Sequence, residues 1–74
     1  MYKWKIVLML RSGKEIECIY GGTENTSVDV IKRLINDTNN PHNRVVNIFD
    51  SIDGTGNIAV LMSEVVAAHV GVSE

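Results

Sequence analysis

Residues 4–20 read Trp4-Lys5-Ile6-Val7-Leu8-Met9-Leu10-Arg11-Ser12-Gly13-Lys14-Glu15-Ile16-Glu17-Cys18-Ile19-Tyr20, and the fold turns on how the two halves of this stretch pair. Large apolar and β-branched residues flank Arg11-Ser12-Gly13, which carries a turn signal, so the stretch is a β-hairpin. A three-residue loop with Gly13 in the left-handed conformation gives a type I turn followed by a G1 bulge. That register sets Leu8 against Ile16, Ile6 against Cys18 and Trp4 against Tyr20, all six on one side. The other side receives Met9 with Glu15, Val7 with Glu17 and Lys5 with Ile19, and Lys5 lies diagonally from Glu17. A two-residue loop would place Glu15 and Glu17 on the face of Ile6, Leu8 and Leu10. A one-residue slip moves every side chain to the wrong face, and that conflict selects the three-residue loop.

Downstream, Gly21-Gly22 ends the second strand and Thr26 caps a helix over about residues 28–37, with Asp29 at the third helical position in an acidic variant of the capping box. Val30, Ile31, Leu34 and Ile35 form its apolar stripe, leaving Lys32, Arg33 and Asn36 for solvent. Thr38 to Asn43 is a cluster of turn formers and therefore a loop. A third strand follows over 44–50, with Val46 and Ile48 on one face and Val45, Asn47 and Phe49 on the other. Asp50 to Gly56 reads as a hairpin loop in which Gly54 and Gly56 are free to take positive φ. Residues 57–62 form a fourth strand, Ser63-Glu64 a bend or bulge, and residues 65–72 a fifth. The expected fold is α+β: one domain over residues 1–74 in the order β-β-α-β-β-β, built as a small curled antiparallel sheet or partly open barrel.

Size presses the same point. A chain of 74 residues buries only about 60% of its unfolded surface, and domains this small lean on disulfides, a metal or association with other copies. The lone Cys18 cannot form an internal disulfide, and no Cys and His residues stand at zinc spacing. Residues 5–10 and 58–62 are apolar on both faces, more than one short helix can cover. Either the sheet curls around its own core or a second copy covers the open side, so a homo-oligomer is the expected partner. The apolar run Ile6 to Leu10 is too short for a signal-peptide core and nothing approaches a membrane span, so the expected compartment is the cytoplasm.

Chemistry is sparse. Cys18 with His42 or His69 is a conceivable thiol and base, but Cys18 falls on the Ile6 and Ile16 face as a small buried hydrophobe, and His69 is expected at solvent or an interface. No catalytic, cofactor or metal residues are assigned. The Asp50 to Asn57 loop has two carboxylates and two glycines without the ligand spacing of an EF-hand, and Gly21-Gly22-Thr23 lacks the Walker pattern of phosphate-binding loops. Lys3, Lys5, Arg11 and Lys14 cluster with aromatics near the hairpin, the combination that single-stranded nucleic-acid binders use. A formal charge of −2 and a pI near 5.6 argue against binding driven chiefly by phosphate neutralisation.

Trp4-Lys5-Ile6-Val7-Leu8, Ser12-Gly13-Lys14, Tyr20-Gly21-Gly22, Gly56-Asn57-Ile58 and Glu64-Val65-Val66-Ala67-Ala68 together resemble small uncharacterised proteins encoded by phages and prophages of Gram-positive bacteria. The resemblance implies a cytosolic phage-derived accessory protein and carries no active site. The curled sheet also loosely resembles an Sm-like barrel, with the helix after two strands rather than first. The leading functional expectation is a non-enzymatic, self-associating binding or assembly module. A small nucleic-acid binder using the N-terminal hairpin is the alternative, and an enzyme using Cys18 the second alternative.

Overall fold

The computed structural model describes residues 2–39 and 45–72. Five strands, β1 (Tyr2–Leu10), β2 (Glu15–Gly22), β3 (Val46–Ser51), β4 (Asn57–Leu61) and β5 (Val65–Val72), form one antiparallel sheet in the order β4-β3-β2-β1-β5. One helix, α1 (Ser27–Thr38), follows β2, and a 3₁₀ turn at Met62–Glu64 joins β4 to β5.

The hairpin has the expected register, with Leu8 against Ile16, Ile6 against Cys18 and Trp4 against Tyr20. Its turn closes through Gly13 N–H to the Leu10 carbonyl (2.9 Å) and Leu10 N–H to the Lys14 carbonyl (2.8 Å). Gly13 has φ +92°, a conformation that costs glycine nothing and other residues a steric penalty.

That short 3₁₀ connection curves the sheet. Five strands at about 4.8 Å spacing would set β4 and β5 about 19 Å apart if flat. The link from Leu61 to Val65 spans at most about 14 Å extended, and less when wound as a 3₁₀ turn. The sheet therefore bends until its two margins approach, while β4 and β5 remain unpaired and the barrel stays open. The 3₁₀ turn is anchored at both ends: Arg11 N–H to the Glu64 carbonyl (2.7 Å) continues the β1–β5 ladder, and Met62 N–H to the Val45 carbonyl (2.9 Å) continues the β3–β4 ladder.

Inside the curve lie Trp4, Ile6, Leu8, Cys18, Phe49, Val60, Met62, Val65 and Val70, closed over by Val30 and Leu34 of α1, which packs against β5 and the 3₁₀ turn. Thr26 caps α1 as expected, its Oγ1 accepting from Asp29 N–H at 3.2 Å.

Four details depart from expectation. Ile35, placed in the apolar stripe, is 51% exposed, because Val30 and Leu34, with Ile31 partly buried beside them, take up the contact with the concave surface. Gly54 takes positive φ (+76°) but Gly56 does not; its N–H instead donates to Ser51 Oγ at 3.0 Å. The fourth strand stops at Leu61, and Ser63-Glu64 belongs to the 3₁₀ turn. The bulge lies beyond that turn, where Met9 pairs with Ala67 and Leu10 with Val65, leaving Val66 as the extra residue. The expected strand start at Arg44 and the turn cluster of residues 40–43 fall outside the described residues.

Candidate functional site

Lys3 and Lys5 point outward from the first half of β1, and Lys5 Nζ pairs with Glu17 Oε1 at 3.4 Å across the hairpin. Both partners are at least half exposed, so the pair contributes little to stability. Arg11 and Lys14 sit at the hairpin turn, where Arg11 Nη2 donates to the Ser63 carbonyl at 3.1 Å. Six residues of extended chain separate Lys5 from Arg11, about 20 Å at strand rise and well beyond a physiological screening length. Val7 and Met9 fill the outward positions between them, beside Glu15 and Glu17. The four cations thus form two separate pairs rather than one patch. The aromatics do not interleave with them either: Trp4 is buried, and Tyr20 turns inward with its ring tilted against Phe49 at 6.2 Å.

An open depression of about 850 Å³ lies between Lys3 and Lys5 on one side and Asp50, Ser51, Thr55 and Asn57 on the other. Its polar groups are largely engaged with one another. Asn57 Nδ2 donates to Asp50 Oδ1 at 2.9 Å. Asp53 Oδ1 accepts from Ser51 Oγ (2.9 Å), Thr55 N–H (3.0 Å) and Thr55 Oγ1 (2.7 Å). The Thr55 hydroxyl first, then the Thr55 N–H and Ser51, hold the Asp53 carboxyl below the usual range. These bonds account for the carboxylate in a loop whose composition alone resembled a cation site. No group of three or more His, Cys, Asp and Glu side chains stands together among the described residues.

Cys18 is fully buried in the core, and burial pushes its thiol up to about 11. His69 pairs with Val7 and is exposed on the opposite face of the sheet, so the fold does not bring this imidazole to the thiol. His42 lies outside the described residues. Reactivity requires thiolate and access. Cys18 is therefore expected to resist iodoacetamide in buffer at neutral pH and to label fully in denaturant, as read by intact mass. Rapid labelling of the folded chain would place the thiol at the surface.

One polar cluster escaped sequence reasoning. Glu24, between the paired glycines and the helix cap, receives three elements at once. Its carbonyl accepts from Trp4 Nε1 at 3.0 Å. Its carboxylate accepts from Tyr20 Oη at 2.9 Å to Oε1 and 3.0 Å to Oε2, and from Arg33 Nη1 at 3.4 Å. A backbone hydrogen bond at residue 24, then Tyr20 and Arg33, hold this carboxyl below its ordinary value, with burial opposing them. Burial, then the bond to Glu24, raises the Tyr20 hydroxyl. The cluster ties β1, β2 and α1 together. A lone Glu beside glycines carries no periodic signal; only its spacing before the Thr26 cap marked the place.

The margins of the sheet stand apart chemically from its centre. Outward charges gather on the inner strands as Lys3, Lys5, Glu15, Glu17 and Asp50, whereas β4 (Asn57–Leu61) and β5 (Val65–Val72) contain no Lys, Arg, Asp or Glu. Near those margins Ile48 is 69% exposed and Val72 71%. No helix among the described residues is long and apolar enough to cross a membrane. No protein-family model, curated protein or solved structure matches the chain.

Proposed function

We propose that this chain is a non-enzymatic binding and assembly module, working in the cytoplasm as a phage- or prophage-derived accessory protein, whose first partner is a second copy of itself. The observation that carries the reading is the inverted charge pattern of the sheet. Exposed strand margins in soluble proteins are ordinarily blunted by charge, since bare strand edges recruit other strands. Here the charges sit on the already paired inner strands, while Val46, Ile48, Val66 and Val72 stand exposed near the margins. A chain of this size also gains stability from association that its own core supplies only sparingly. The phage origin is supported by the pattern of strand and turn residues alone. Binding to nucleic acid is the weaker reading, because Lys3 and Lys5 are separated from Arg11 and Lys14 by apolar and acidic positions.

The test is mass in solution. Sedimentation velocity between about 1 and 100 μM is expected to show a dimer or larger species whose population falls on dilution. A strictly monomeric chain across that range overturns the proposal.

A further inference from the structure

We propose that β4 is the self-pairing edge: residues 57–61 of one copy lie antiparallel to residues 57–61 of a second about a twofold axis at Ala59, joining two five-stranded sheets into one. This rests on the self-association reading above and assigns it a surface and a symmetry.

The two margins differ in a way that selects β4. At β5 the devices that protect an edge are gathered: the bulge at Val66 breaks the ladder, His69 and Gly71 interrupt the aliphatic run, and α1 packs against the strand. At β4 those devices are missing. Its ladder with β3 runs without a shift from Val46–Leu61 to Asp50–Asn57, and Asn57-Ile58-Ala59-Val60-Leu61 has no charge, proline or glycine. As the last strand in the order, β4 offers one side of its backbone to no other strand of the sheet. Regular, uncharged edges of this kind accept another strand.

A second copy fits that edge better than an arbitrary strand does. A twofold interface requires a surface complementary to itself. With Ala59 opposite Ala59, Asn57 meets Leu61 and Ile58 meets Val60, so no like charges face each other along the strand. Outward-facing Val46, Ile48, Ala59 and Leu61 of each copy then join in one apolar strip across the axis. Charge enters at the ends, where Asp50, which accepts from Asn57 Nδ2, and the Asp53 turn of one copy approach the 3₁₀ turn of the other. That end carries Arg11, held on the Ser63 carbonyl, as well as Glu64, so attraction and repulsion largely offset there.

Ala59 is exposed on the convex face, so Ala59→Lys leaves the core untouched while setting two ammonium groups against each other at the axis. Ala67→Lys, exposed on the outward face of β5, is the matched control. Sedimentation velocity at about 20 μM is expected to show dimer for wild type and A67K, and monomer for A59K with at least about tenfold weaker association. If folded A59K remains dimeric, the β4 assignment fails while self-association stands. If A67K dissociates and A59K does not, the interface lies at β5. A wild-type chain that is monomeric throughout overturns both readings and leaves the β4 edge to a strand from another protein. Should A59K fail to fold, hydrogen exchange of the wild-type residue 57–61 amides decides the matter. Protection that rises with protein concentration supports the pairing, and protection independent of concentration overturns it.

Discussion

Replacing Leu8 with alanine is expected to lower the unfolding free energy by about 3 kcal/mol, the typical cost of emptying a fully enclosed leucine site. Leu8 lies on the central strand, paired with Ile16 on one side and Ala68 on the other, and is 0% exposed. α1 and the 3₁₀ turn contribute Leu34 and Met62 to the same buried cluster, so the truncation empties space in a core built by several elements. At roughly 0.05 to 0.15 kcal/mol per residue, a domain of this size has about 4 to 11 kcal/mol in total, and the loss is a large share of it. Met9→Ala is the comparison: its side chain points outward from the next position and is 40% exposed, so its truncation should cost under about 1 kcal/mol. Urea unfolding at one fixed protein concentration measures both, the fixed concentration holding association constant. Equal costs at the two positions would mean that the concave face is not the core.

Strong local signals carried most of this fold into view. The hairpin register was legible because Glu15 and Glu17 could not share a face with Ile6, Leu8 and Leu10, and the observed pairing obeys that conflict. The helix was legible because Thr26 and Asp29 mark its start, and its boundaries, Ser27–Thr38, differ by one residue at each end from those expected. What could not be read depends on contacts between distant residues. Ile35 has the spacing of a core residue, yet how much of a helix the core accepts is set by the curvature of a sheet formed by other segments. The place of the bulge was equally hidden, since the shift at Val66 is imposed by how β5 meets Met9 and Leu10. On the candidate sites, the position of Cys18 followed from hairpin parity alone. Lys3, Lys5, Arg11 and Lys14 are close in sequence, but an extended strand holds its two ends far apart. The uncharged margins were in the sequence throughout; only the strand order revealed that those two segments are the edges.

Gly22→Ala should cost about 2 kcal/mol, although Gly22 has an ordinary negative φ and a turn reading would rate it replaceable. A Cβ at residue 22 would overlap Glu24 Oε1 and stand 2.7 Å from Tyr20 Oη and 2.8 Å from Tyr20 Cε2. Glu24 can swing aside, but the Tyr20 ring is wedged against Phe49, so the new methyl group displaces the ring or breaks its bonds to Glu24. The steric origin makes the effect depend on its neighbour. In a Glu24→Ala background one of the obstructions is gone, and adding Gly22→Ala is expected to cost measurably less than it does in wild type, a coupling that a double-mutant cycle reads directly. An acid titration supplies the second arm. The Glu24 carboxyl is held below its ordinary 4.5 in the folded chain, so its contribution is fully present above about that pH and is lost as pH falls through the folded value. Glu24→Gln should therefore weaken the chain at neutral pH, with the gap to wild type closing on acidification, and Gly22→Ala should narrow the same gap by displacing the carboxylate. Additive losses in the cycle, together with a Glu24→Gln deficit that is the same at neutral and acid pH, would show that Gly22 and Glu24 act separately and that the cluster does not hold β1, β2 and α1 as one unit.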